Sequence, residues 1–308
     1  MTILITGGAG YIGAELAYAL AENHGVKKII VYDNLSRGNY NLFLGKKINN
    51  KKIQFIAGDV LDSRKIHQVL KGVDIVYHLA AKVSTPYANI DSHFFEQVNH
   101  WGTAELIYAI EQSPVKKLIF MSSAAVYGAG HDMVDESTAP NPNSHYAISK
   151  SRAEEHVKRL FNKPIETIIL RCGNVYGYSK SMRFDAVINK LMFEANFNGR
   201  ISINGNGRQF RSFIHIDKVT HILSQLLSNN IPSGIYNLSD KNLEIMQLVD
   251  TLKEVYPNLE FLFINQHLQM NEIRVNPASK LYSHIPLPSS QLLDELKAFK
   301  ENFSFESV

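Results

Sequence analysis

Tyr146-Ala147-Ile148-Ser149-Lys150 places a phenol and an amine four residues apart, and on a helix that spacing puts both on one face. A phenol titrates near 10, so it works as a base near neutral pH only beside a cation that favours phenolate. Spacing alone is a weak signal. With 14 tyrosines and 22 lysines in 308 residues, about one such pair arises by chance, and Tyr176/Lys180 is a second. Context favours the first. Tyr146 opens a helix after the Pro140-Asn141-Pro142-Asn143-Ser144 stretch, and a strand ending in Ser122-Ser123 lies just upstream to supply a hydroxyl partner. Tyr176 reads as part of an Asn174-Val175-Tyr176-Gly177 loop with no helical register to Lys180.

The second chemical signal is Gly7-Gly8-Ala9-Gly10-Tyr11-Ile12-Gly13, directly after an apolar run. Glycines at this spacing let backbone amides and a helix N-terminus approach a pyrophosphate. The same residues also make an ordinary tight βα turn. Asp33, twenty residues past Gly13, sharpens the reading, because a carboxylate there accepts the two ribose hydroxyls of a dinucleotide and repels a 2′-phosphate. NAD is therefore expected over NADP, with Arg37 as the residue that argues the other way.

These residues need a frame. Ile3-Leu4-Ile5, Ile29–Tyr32, Ile53–Ile56, Ile75–Leu79, Leu118–Met121 and Ile165–Leu170 are short runs apolar on both faces, as in buried parallel strands. Helix-length amphipathic stretches (14–23, 63–70, 91–111, and one from about Tyr146) lie between them. The expected fold is α/β, a Rossmann-type doubly wound parallel sheet. Beyond Cys172 the rhythm becomes irregular, which predicts a smaller α+β substrate-binding lobe. The expected division is 1–172 for coenzyme and 173–308 for substrate, partly interleaved.

Composition narrows the class. The chain is 45% hydrophobic and 20% charged with a formal net charge of +3, ordinary for a globular protein of about two domains. One cysteine, Cys172, excludes an intramolecular disulfide and a four-cysteine zinc site. No apolar run approaches the ~18 residues of a membrane span, and the first residues lack the basic segment of a signal peptide. A cytoplasmic enzyme acting without membrane or nucleic acid is expected, since the lysines fall in scattered pairs such as Lys27-Lys28 and Lys116-Lys117 rather than in one patch. The 12 histidines form no close pair at helical spacing, so no metal site is expected.

A longer series of motifs resembles the extended short-chain dehydrogenases/reductases of the NAD-dependent nucleotide-sugar epimerase/dehydratase type, whose familiar member is UDP-galactose 4-epimerase. It comprises Thr6–Gly13, Asp33-Asn34-Leu35, Gly58-Asp59-Val60, His78-Leu79-Ala80-Ala81, Asn99 in Val98–Thr103, Ser122–Gly128, Tyr146/Lys150, Arg171–Gly177 and Gly205–His215. The resemblance implies that Ser123 and Tyr146 orient and deprotonate a sugar hydroxyl while Lys150 holds the nicotinamide ribose. It implies coenzyme contacts from Gly7, Gly10, Tyr11, Ile12, Gly13, Asp33, Asn34, Asp59, Val60, Leu79, Ala80, Ala81, Lys82 and Asn99. Substrate contacts are implied for Ser84, Ser123, Asn174, Arg211 and Arg274, the arginines as diphosphate forks.

Departures from the family pattern bear on the reaction. Where its 4,6-dehydratases carry Asp-Glu, and its UDP-glucuronate decarboxylases a Glu, this chain has Ala124 and Ala125. Neither moves a proton, so the expectation is reversible hydride transfer at one carbinol carbon: a 4-epimerase, with a 4-dehydrogenase or 4-ketoreductase as the alternative and a non-catalytic NAD- or RNA-binding module as the remote one. Tyr178–Asp185 also departs from the familiar galactose epimerases. On the 91–111 helix, Phe94, Trp101 and Tyr108 form one stripe and Phe95, Leu106, Ile107 and Ile110 another, which predicts a homodimer.

Overall fold

The computed structural model describes residues 1–44, 51–83, 91–130, 132–266 and 272–303. In chain order the elements are β1 (Thr2–Thr6), α1 (Tyr11–Ala21), β2 (Lys28–Asp33), β3 (Ile53–Ala57), α2 (Ser63–Val69), β4 (Ile75–His78), α3 (Ser92–Phe95), α4 (Gly102–Glu111), β5 (Lys117–Ser123), α5 (His145–Lys158) and β6 (Glu166–Cys172). They continue with β7 (Asn174–Tyr176), α6 (Val187–Asn198), β8 (Arg200–Asn204), β9 (Phe210–His215), α7 (Ile216–Gln225), β10 (Gly234–Leu238), β11 (Lys241–Glu244), α8 (Ile245–Val255), β12 (Glu260–Ile264) and α9 (Leu292–Glu301).

Seven parallel strands form the central sheet in the order β10-β6-β5-β4-β1-β2-β3. Strand residues alternate between its two faces. Ile3, Ile5, Ile29 and Val31 pack under α1 and α7, while Leu4, Ile30, Val76 and Phe120 pack under α2, α4 and α5. Being covered on both sides explains why these strands are continuously apolar. Two small sheets, β11-β9-β7 and β12-β8, join α6, α8 and α9 around a separate core that includes Leu191, Ile201, Phe213, Leu248 and Phe299.

Three expectations change. β10 extends the central sheet, registered on β6 from Gly234↔Ile168 to Leu238↔Cys172; at five residues, and far from the other sheet strands in sequence, it has no rhythm to announce it. Tyr176 ends a strand rather than lying in a loop, because β7 pairs with β9. The 91–111 helix contains a π turn over Glu96–Trp101 between α3 and α4. One of its stripes is in the core and the other outside: Phe95, Leu106, Ile107 and Ile110 are buried, whereas Phe94 is 37%, Trp101 52% and Tyr108 41% exposed. Among the described residues no helix is long and apolar enough to cross a membrane.

Candidate active site

Parallel strands all present their carboxyl ends on one edge, and that edge gathers Thr6, Asp33, His78, Ser123 and Cys172. Gly7 has φ +69°, and a Cβ there would lie 2.6 Å from the Ala80 backbone nitrogen. A Cβ on Gly13 would lie 2.4 Å from the Gly7 carbonyl oxygen. Only glycine permits these approaches, and they set the start of α1 at the carboxyl end of β1. The Asp33 carboxylate is aimed by two backbone donors, Ala9 N–H to Oδ2 at 3.0 Å and Leu35 N–H to Oδ1 at 2.8 Å. Each oxygen keeps a lone pair for a ribose hydroxyl. Next to it, Asn34 Nδ2 donates to Asp59 Oδ2 at 2.8 Å, and buried Val60 packs against Gly102.

Beneath the Leu79–Lys82 segment runs a buried polar chain. Thr103 donates its hydroxyl to the Asn99 carbonyl at 2.6 Å, so it accepts from His78 Nε2–H at 2.9 Å. His78 Nδ1 then accepts from Thr6 at 2.7 Å. Burial holds this imidazole neutral, its pKa down at about 3. Asn99, carried on the π turn, spends its whole amide: Oδ1 accepts Lys82 N–H, and Nδ2 donates to Lys82 O and Ser149 Oγ. It thereby ties the π turn to the Lys82 backbone and to α5. Sequence reasoning missed Thr6, Thr103 and this role of Asn99; nothing in their spacing shows that one imidazole joins them.

Tyr146 and Lys150 both lie on α5, four residues apart as expected. Ser144 caps α5 by accepting Ala147 N–H at 3.2 Å, which fixes Tyr146 in the first turn. Its phenol faces the Ser123 side chain and packs edge-on against Phe95. Burial pushes the phenol above its ordinary value, partly offset by Ser123 and by the positive charge of Arg183. Lys150 is 2% exposed, donates to the Met121 carbonyl at 2.6 Å and lies over the Phe120 ring. Burial pulls its ammonium down to about 7. Tyr176, by contrast, donates to Glu295 in the second core. Arg183 was not singled out as a site residue; the unfamiliar Tyr178–Asp185 stretch was its only signal.

Ala124 and Ala125 begin the turn after Ser123, so no carboxyl group stands there. Asn174 and Arg211 lie on neighbouring strands β7 and β9. Asn174 Nδ2 donates to Ser212 O at 3.0 Å. Arg211 has no ion-pair partner among the described residues, and burial lowers its guanidinium below its ordinary value. Arg274 stacks 3.7 Å over the Phe210 ring, beside Arg211, and its buried Nε has no hydrogen-bond partner among the described residues. Arg274 Nη2 lies 4.0 Å from Glu272 Oε2, and a guanidinium such as that of Arg211, with no carboxylate beside it among the described residues, suits a phosphate. Ser84 lies outside the described residues. No cluster among the described residues could hold a metal ion, although His100 and His156, far apart in sequence, meet at 3.0 Å.

A doubly wound sheet with a glycine turn at its switch point, between β1 and β4, and an aimed aspartate at the end of the neighbouring β2 defines a dinucleotide-dependent enzyme. The sequence profile of the NAD dependent epimerase/dehydratase family matches residues 3–239, and the chain belongs to that family. It is 32% identical to human dTDP-D-glucose 4,6-dehydratase, covering 82% of this chain and 72% of the relative. It is 31% identical to a putative UDP-glucose 4-epimerase of Methanocaldococcus jannaschii, covering 82% and 81%. Among solved structures, a Tyr-to-Phe mutant of UDP-glucuronic acid 4-epimerase from Bacillus cereus, in complex with UDP-4-deoxy-4-fluoro-glucuronic acid and NAD, superposes with a TM-score of 0.87 at 26% identity over 98% of each chain. The protein is an NAD-dependent enzyme of nucleotide-sugar chemistry.

Proposed function

We propose that the protein is a nucleotide-sugar 4-epimerase. The observation that carries this reading is the placing of the Tyr146 phenol beside the Ser123 side chain, at a turn that begins with Ala124 and Ala125, which leaves the site able to move a proton at one hydroxyl and without a carboxyl group in that turn to move one at C5 or C6. NAD, when bound, supplies reversible hydride acceptance at the sugar's C4. Tyr146 takes the O4 proton, and Ser123 holds O4 in line with the phenol. Lys150, one turn from Tyr146 on α5, holds the nicotinamide ribose, and the positive charge of Arg183 favours the phenolate. Arg211, Arg274 and Asn174 grip the nucleoside diphosphate, so a 4-keto sugar can turn over without leaving. Residues 1–172, with α7 and β10 packed onto their sheet, would hold the coenzyme, and the rest of 173–308 the substrate.

Incubation with a panel of UDP- and dTDP-sugars, without added coenzyme, and NMR of the products tests the reading. A C4 epimer is expected. A 6-deoxy-4-keto product, or net reduction of NAD when it is added in a parallel incubation, overturns it.

A further inference from the structure

The segment after β7, residues 177–185, is fastened to the coenzyme cradle. Tyr11 of the glycine turn donates its hydroxyl to Gly177 O at 2.6 Å. Ser179 Oγ lies 3.2 Å from Tyr11 O and 3.0 Å from Glu15 Oε1. Asn41 Nδ2, on the loop that follows β2, donates to Lys180 O at 2.6 Å. Asn189 of α6 secures the segment from its other side, accepting from Gly177 N–H and donating to Arg183 O, both at 3.0 Å.

At the end of this segment Asp185 faces Arg37. Arg37 Nη2 lies 3.0 Å from Asp185 Oδ1, and Arg183 Nε lies 3.3 Å from the same oxygen. The two guanidinium groups outweigh the effect of burial and hold the Asp185 carboxyl below its ordinary value. Arg37 belongs to the turn that Asp33 organises: Asp33 Oδ1 accepts Leu35 N–H, Leu35 has φ +57°, and Gly38 N–H closes the turn on Leu35 O at 2.9 Å. It is the cation nearest in sequence to the carboxylate aimed at the ribose diol. An arginine in this neighbourhood accommodates a 2′-phosphate in NADP-dependent enzymes. A cleft of about 590 Å³ opens between loop and segment, lined by Arg37, Asn41, Lys180 and Asp185 among others, so a phosphate has room to reach Arg37.

We propose that Asp185 is a coenzyme-specificity residue that acts through Arg37, holding its guanidinium in an ion pair across this cleft and so withholding it from the 2′-phosphate of NADP. Asp33 repels that phosphate directly. Asp185 removes the charge that would compensate for the repulsion. The preference for NAD is then set from two sides of the cleft, by residues that lie far apart in sequence.

Fluorescence titration of coenzyme-stripped protein with NADH and NADPH reads the effect. Asp185→Asn is expected to tighten NADPH by about fivefold, the worth of one well-placed surface charge pair, and to leave NADH within about twofold. Asp185→Glu, which keeps the charge, should retain the wild-type ratio of the two affinities. Adding Arg37→Ala to Asp185→Asn should abolish the gain. Thermal melting of each stripped variant confirms that it is folded. An unchanged ratio, a gain that survives the loss of Arg37, or a ratio altered only through weaker NADH binding overturns the proposal. No arm requires turnover, so a failed 4-epimerase assay leaves this result standing.

Discussion

The Arg171 guanidinium forks onto the Glu154 carboxylate, with Nε 3.1 Å from Oε1 and Nη2 2.8 Å from Oε2. Both side chains are sealed from solvent. Glu154 lies one helical turn past Lys150 on α5, so the pair fixes that helix to β6 and with it the position of the amine. Glu154→Gln leaves a buried guanidinium uncompensated and is expected to cost about 3–5 kcal/mol of stability. Urea denaturation of mutant and wild type measures it. A loss under about 1 kcal/mol would mean that the site relaxes or admits water.

The two Tyr/Lys pairs separate by substitution. Tyr146→Phe removes the hydroxyl that faces Ser123, and turnover is expected to fall by at least 10²-fold with the fold intact. Tyr176→Phe deprives Glu295 of one donor and should cost about 1–3 kcal/mol of stability while leaving turnover near wild type. Initial rates and melting curves of both variants decide; an inactive, stable Tyr176→Phe would exchange the assignments.

Arg211→Ala is expected to weaken nucleotide-sugar binding by about 1.5–3 kcal/mol, the range for hydrogen bonds to charged groups. Calorimetry with UDP or dTDP alone isolates the diphosphate contribution. Unchanged affinity would reduce Arg211 to a structural role.

Glu295 makes acid stability measurable at one carboxylate. Burial works to raise its pKa, but hydrogen bonds from Ser290, Tyr176 and Lys241 hold it at about 2, below the ordinary 4.5. A depressed carboxyl stabilises the fold fully above pH 4.5 and loses that contribution as pH falls through about 2. Between those values wild type should lose stability more steeply than Glu295→Gln, which has no proton to gain there. Parallel slopes in pH-dependent denaturation would show that other carboxyls govern the acid transition.

The exposed stripe of Phe94, Trp101 and Tyr108 is the surface on which we expect two copies to pair. Light scattering should find a dimer for wild type and a folded monomer for Phe94→Glu. A monomeric wild type at micromolar concentration refutes it.

The parallel core, the glycine turn, Asp33 and Tyr146/Lys150 were legible in the sequence, because each depends on contacts within a strand–helix unit: alternation of apolar residues, a tight βα turn, a four-residue helical step. Only the tertiary structure brought β10 beside β6, joined Thr6 to Thr103 through His78, gave Tyr176 to Glu295 and set Asp185 against Arg37. Those pairings bridge segments far apart along the chain. No local periodicity encodes them, because which distant side chains meet is decided by how whole elements pack, and a buried polar group takes whatever partner that packing supplies.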